Sequence, residues 1–165
     1  MRVHISAVKQ SCSIVWEARM PFARISLLAG KSPAYLTAIS DSLHAAMVEC
    51  FEVPAKDRFH VIHQHQPGEL VFDRDFLGGP RSDDYVLFDI RIGKPRSGAV
   101  KERFYRRLVE RLAEAPGLRP EDVMVVLTLT SSHMEDWSFA GGVSATAAAA
   151  PATRASALQR EGAAS

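Results

Sequence analysis

The residues of this chain that could do chemistry fall in short, separated blocks. Met20-Pro21 stands directly before an alternating apolar run, a place where proline commonly does no more than start a strand. Asp57 follows Pro54, where an aspartate caps a turn or serves as an acid–base group. Lys94 and Arg96 flank Pro95 ahead of a helical stretch; such a pair is a solvated helix approach or a local seat for an anion. Trp137 and Phe139 are core, interface or pocket wall. His63 and His65 share a strand face near His60, but a His-x-His pair has neither the third ligand nor the outer shell of a metal site, so no metal is assigned. Glu102, Arg103, Arg106, Arg107, Glu110 and Arg111 recur at helical spacing and read as a solvated face with ion pairs along it.

Periodicity supplies the elements that must position these residues. Residues 22–28 alternate and end at Gly30, predicting a strand and a turn. Ser32-Pro33 reads as a helix cap and first turn, and Leu36, Ile39, Leu43, Met47 and Cys50 stripe a helix over 33–51 that Val53-Pro54 stops. A strand is expected over 58–65, then a Pro67-Gly68 turn into a short pairing strand over 69–72. Beyond a polar connection, 73–84, the pattern returns: a strand over 85–92, a cap at Ser97, a helix striped by Val100, Phe104, Leu108 and Leu112, and a strand over 123–129. The reading is an α/β (α+β) fold written as a tandem β-α-β repeat, with units at about 21–72 and 85–130. Each helical crossover implies parallel pairing within a unit, and two units side by side give a four-stranded, mostly parallel or mixed sheet with both helices on one face. The other face, left bare in a monomer, implies an oligomer.

Bulk composition narrows the function. The 165 residues suffice for one core-bearing domain. Twenty Lys and Arg against nineteen Asp and Glu leave a net charge of +1, which provides no broad field for nucleic acid or an anionic membrane. Cys12 and Cys50 form no disulfide framework, which fits a reducing cytoplasm. No segment approaches the roughly 20 apolar residues of a membrane span, and Lys9, Gln10 and two serines interrupt any signal-like core near the start. After Gly142 the chain becomes Ala-rich without aromatics, so 143–165 reads as a flexible tail.

A doubled β-α-β unit whose first strand begins with proline resembles the tautomerase superfamily, and "FEVPAKDRFHVIHQHQPGEL", "GKPRS" and "EDWSFAGG" look like its malonate semialdehyde decarboxylase group. The resemblance covers about residues 20–142. It implies that the initiator Met is removed and that Pro21 is the catalytic amino terminus, with Asp57 the acidic partner. Lys94 and Arg96 become the cations that hold a substrate carboxylate, and Trp137 and Phe139 the aromatic wall. It further implies a homotrimer, a small carboxylic-acid substrate and no cofactor. Where the decarboxylase pattern has two arginines, the first here is Lys94, which keeps the charge and loses the bidentate fork. Val48 stands where haloacrylate dehalogenases carry a histidine, so dehalogenation drops in rank. The activity expected is decarboxylation of malonate semialdehyde or a similar 3-oxo acid, with enol–keto tautomerisation of a phenylpyruvate-like or 2-hydroxydienoate acid as the runner-up.

The chemistry depends on the terminus. A free α-amine titrates near ~8, closer to neutrality than lysine; burial and nearby cations push it down, and a close Asp57 pushes it up. Neutral, it is a base or nucleophile; protonated, it polarises a carbonyl. With residues 1–19 attached, the Pro21 nitrogen is an amide and none of these roles survives. The expectation is therefore that translation begins at Met20. If the extension stays, an oligomeric binding module without catalysis is the alternative.

Overall fold

The computed structural model of the protein describes residues 21–130 and 136–144. Residues 1–20, with the expected extension, and 145–165, with most of the expected tail, lie outside them.

β1 (Phe22–Leu28) leads through a glycine turn into α1 (Pro33–Phe51). Ser32 caps α1 from its predicted place, its Oγ accepting the Tyr35 N–H at 3.2 Å. β2 (Phe59–His65) completes the first unit; β3 (Val86–Ile92), α2 (Gly98–Glu114) and β4 (Val123–Leu129) repeat it. Pairing is parallel within each unit, β1 with β2 and β3 with β4, and antiparallel where β1 meets β3. The strand order is β2-β1-β3-β4, so the sheet is mixed and four-stranded, as the doubled pattern implies.

Both helices pack on one face. Ala23, Ile25 and Leu27 of β1 and Val86, Phe88, Ile90 and Ile92 of β3 meet Ile39, Leu43, Met47 and Phe51 of α1 and Phe104, Leu108 and Leu112 of α2 in one core. The Phe51 and Phe104 rings stack at 4.4 Å. Glu49 of α1 pairs with Arg107 at 2.7 Å and with Arg111 of α2, clasping the helices from outside; these guanidiniums hold its carboxyl well below the usual range. Among the described residues no element packs on the opposite sheet face, which presents Phe59 and Val61 of β2 and Met124 and Val126 of β4, each 40–49% exposed.

Two expectations are corrected. Residues 69–72 form no strand: Glu69 folds back to bond Gln66 through backbone and carboxylate, and the Phe72 ring stacks on Tyr85 at 4.3 Å. Side-chain packing, not ladder pairing, uses this apolar run. The tail does not begin at 143 either. β5 (Ser138–Ala140) and β6 (Val143–Ser144) form a hairpin, closed by Gly141 and Gly142 at φ 65° and 72°, the two left-handed residues that its tight turn requires.

The 73–84 connection is pinned by Arg81, which donates to the carbonyls of Asp73, Phe76 and Leu77, and by Asp122. That buried carboxylate accepts the Ser82 N–H at 2.5 Å, the Ser82 hydroxyl at 2.8 Å and Arg119 Nε at 3.0 Å. Burial pushes the Asp122 carboxyl up, but the Ser82 and Arg119 bonds prevail and its pKa is lowered. A depressed carboxyl stabilises the fold above its unfolded value and loses that contribution as pH falls through the folded one. Asp122→Ala should therefore destabilise by about 2–4 kcal/mol at pH 7, and its deficit against the unaltered chain should narrow below about pH 4, both read from urea unfolding at several pH values.

Candidate active site

The sheet register decides which predicted residues meet. Phe22 pairs with Phe59 on one side and Arg91 on the other. Continued by one residue, that register sets Pro21 beside Arg58 and Ile92. Pro21 is buried at this end of the sheet. Because β1 runs parallel to β2 and antiparallel to β3, the start of β1 meets the start of β2, where Asp57 lies, and the end of β3, after which Lys94 and Arg96 follow.

Asp57 closes a turn with its backbone, its N–H donating to the Pro54 carbonyl at 2.9 Å. Its carboxylate makes no hydrogen bond or ion pair among the described residues, so it does not act as the turn cap that composition alone allows. Half-buried, that carboxyl is pushed up by desolvation, with the nearby His44 pulling the other way.

Arg96 is organised and Lys94 is exposed. The Arg96 Nη2 donates to the Phe51 carbonyl at 2.9 Å and its Nη1 to the Lys94 and Pro95 carbonyls at 3.2 and 3.3 Å, while Cζ lies 5.4 Å from the centre of the Phe51 ring. The guanidinium is thus held at the carbonyl-bearing end of α1, where the helix dipole favours a cation.

Trp137 reaches this end of the sheet through Thr130. Thr130 follows β4 and donates to the Ile92 carbonyl from its N–H at 3.0 Å and from Oγ1 at 3.4 Å, and Oγ1 accepts the Trp137 Nε1–H at 2.8 Å. The indole is fixed to the strand ends that flank Pro21. Phe139 lies on β5, two residues on. Spacing did not single out Thr130, since a threonine that ends a strand has no signature of its own. His44 was also missed, because it falls beside an otherwise apolar helical stripe and its partner lies in a loop.

The histidines of β2 divide. His60 turns inward, its Nδ1 2.9 Å from the Ser40 hydroxyl, and burial, aided by the charges of Arg58 and His44, pushes its pKa down to about 4. It is neutral at pH 7. His63 and His65 stack on the uncovered face at 6.3 Å. Among the described residues no group of three His, Cys, Asp or Glu side chains is arranged to hold a metal, and no helix is long and apolar enough to cross a membrane.

The sequence and the fold have counterparts. Residues 57–140, half of the chain, match one family described as tautomerase enzyme, and residues 21–78 match a second of the same description, a match that begins at Pro21. YusQ and YrdN of Bacillus subtilis (strain 168), each named a probable tautomerase, are 33% and 32% identical over 123 residues, covering 74% of this chain and 95% and 93% of theirs. A solved malonate semialdehyde decarboxylase, described with decarboxylase and hydratase activities, is similar with TM-score 0.68 and 38% identity over 74% of this chain and 92% of that one. A second malonate semialdehyde decarboxylase, inhibited by 3-bromopropiolate, gives 0.67 and 31% over 74% and 91%. A fused 4-OT described as a symmetric trimer, at 21% identity and TM-score 0.61 over 77% and 98%, shares the fold. With the doubled unit and the matched blocks in one order, the chain belongs to the tautomerase superfamily of enzymes, in its malonate semialdehyde decarboxylase-like group.

Proposed function

We propose that this chain is a cofactor-free lyase that decarboxylates malonate semialdehyde or a near 3-oxo acid through an amino-terminal Pro21. The observation that carries the reading is the strand register, parallel for β1 with β2 and antiparallel for β1 with β3, which puts the start of β1 beside the start of β2 and the end of β3, where Thr130 ties Trp137 to the Ile92 carbonyl; similarity to two malonate semialdehyde decarboxylases supports it. Lys94 and Arg96 grip the substrate carboxylate. Pro21 makes the carbonyl an electron sink, either as an iminium formed with loss of water or as a hydrogen-bond donor to the oxygen. The bond between the methylene and the carboxylate breaks, its electron pair enters the activated carbonyl system, carbon dioxide leaves and the carbon takes up a proton; on the iminium route a water then adds back to the iminium carbon, releasing acetaldehyde and the free Pro21 amine, and on the hydrogen-bonded route ketonisation gives acetaldehyde directly. Trp137 walls the site, which favours loss of a neutral gas from an ion. Asp57, its carboxyl raised by burial, sets the protonation of Pro21 or holds a water.

The working form is a homotrimer that covers the bare sheet face, a reading supported by the exposed Phe59, Val61, Met124 and Val126. A reducing cytoplasm suits the buried free thiol of Cys50. A second reading, enol–keto tautomerisation, is favoured by the names of the two Bacillus subtilis relatives; the same proline and cations serve it. Product analysis separates the two. A chain beginning at Pro21, incubated with malonate semialdehyde, should release one carbon dioxide per acetaldehyde; ketonisation of phenylpyruvate enol without gas release from any 3-oxo acid gives the tautomerase instead.

A further inference from the structure

His44 belongs to neither the predicted apolar stripe nor the predicted site. It lies on α1 at 5% exposure. Its Nε2 is 2.9 Å from the Ala55 carbonyl, and since a carbonyl only accepts, Nε2 bears the proton and donates. The other nitrogen, Nδ1, is buried without a hydrogen-bond partner. A buried imidazole that makes a single hydrogen bond is costly, and the one bond it makes crosses from helix to loop. Ala55 lies inside the turn that Asp57 N–H closes on Pro54. The Asp57 carboxylate makes no hydrogen bond or ion pair among the described residues, so the backbone beneath it sets its aim.

The helix end of this bond is rigid, because Leu43, Ala46 and Met47 are fully buried in the core. The His44 ring is also braced: His60, tied to Ser40, stands edge-on to it with ring centres 6.2 Å apart. We infer that His44 is a positioning residue whose Nε2–H bond to the Ala55 carbonyl holds the 54–57 turn, and with it Asp57, at the start of β1. The inference rests on the role proposed for Asp57, and it explains why a polar ring is buried in α1 facing a loop.

The test uses the chain beginning at Pro21 in five forms: unaltered, His44→Leu, His44→Gln, Asp57→Asn and the His44→Leu, Asp57→Asn double variant, with His44→Met as the apolar replacement should leucine fail to fold. Leucine removes the donor and keeps the bulk; glutamine returns an N–H donor. Amide exchange at Asp57 should be about 10-fold faster in His44→Leu with the Leu43 and Met47 amides unchanged, and close to normal in His44→Gln. On malonate semialdehyde, His44→Leu should lose about 5- to 20-fold in kcat with KM within about twofold, and glutamine should restore most of it. Added to Asp57→Asn, His44→Leu should change kcat little further. Unchanged exchange at Asp57 in His44→Leu overturns the inference, as does faster exchange spread along all of α1 or an undiminished loss in the Asp57→Asn background. Locally faster exchange with normal turnover in both His44→Leu and Asp57→Asn supports the anchor and removes the role given to Asp57.

Discussion

A chain started at residue 20 and trimmed to Pro21 should turn over its 3-oxo acid at least about 10²–10⁴-fold faster than the same chain carrying residues 1–19. The reason is local to one atom. In the extended chain the Pro21 nitrogen is a tertiary amide, with no proton to give and its lone pair delocalised into a carbonyl, so it neither forms an iminium nor donates to an oxygen. Pro21→Ala with a free terminus should fall less far, because a primary amine retains some of the chemistry. Intact-mass measurement of the natively made chain should show a polypeptide that begins at Pro21. Equal turnover of the two lengths, or a native mass that retains Met1 in an active preparation, defeats the proline mechanism.

The second large effect belongs to Arg96. Arg96→Ala should lower kcat/KM by about 10²–10³-fold, since a bound carboxylate loses a charge-assisted donor and, with it, the alignment of the breaking bond. Arg96→Lys should recover only part of this, because the fork that spans the Phe51, Lys94 and Pro95 carbonyls has no counterpart in an ammonium. Lys94→Ala should be milder, as an ammonium supplies charge but no bidentate fork to be lost. His63→Ala is the control: on the far sheet face, stacked on His65, it should leave turnover unaltered. Steady-state kinetics across the four variants decide the order, and a loss in His63→Ala matching that in Arg96→Ala would refute this assignment of the carboxylate site.

The elements were legible because their periodicities are strong. The alternation of β1 and the capped stripe of α1 match to the residue, at Phe22–Leu28 and Pro33–Phe51, as does β4 at Val123–Leu129. Doubling of the unit was enough to infer both helices on one face and a bare face opposite. Residues 69–72 misled because an apolar run after Pro-Gly is equally suited to a ladder and to packing on Tyr85, and only tertiary contact distinguishes them. Val143 and Ser144 were lost to an Ala-rich composition that hides a two-glycine turn. In the candidate site, the residues with a family motif were named from sequence and register brings several together, whereas Thr130 and His44 act through hydrogen bonds to backbone carbonyls of residues far along the chain, and no spacing rule encodes those.

The antiparallel seam between β1 and β3 gives this sheet two like ends. At the second, Tyr85 precedes β3 as Pro21 precedes β1, yet Lys31 pairs with Asp84 there, Arg119 and Ser82 grip Asp122, and Tyr85 is interior to the polypeptide. No processing of the terminus turns that position into an amine. If Pro21 acts as proposed, connectivity alone allows one such amine per molecule, and whatever copies assemble, the number of sites equals the number of chain starts.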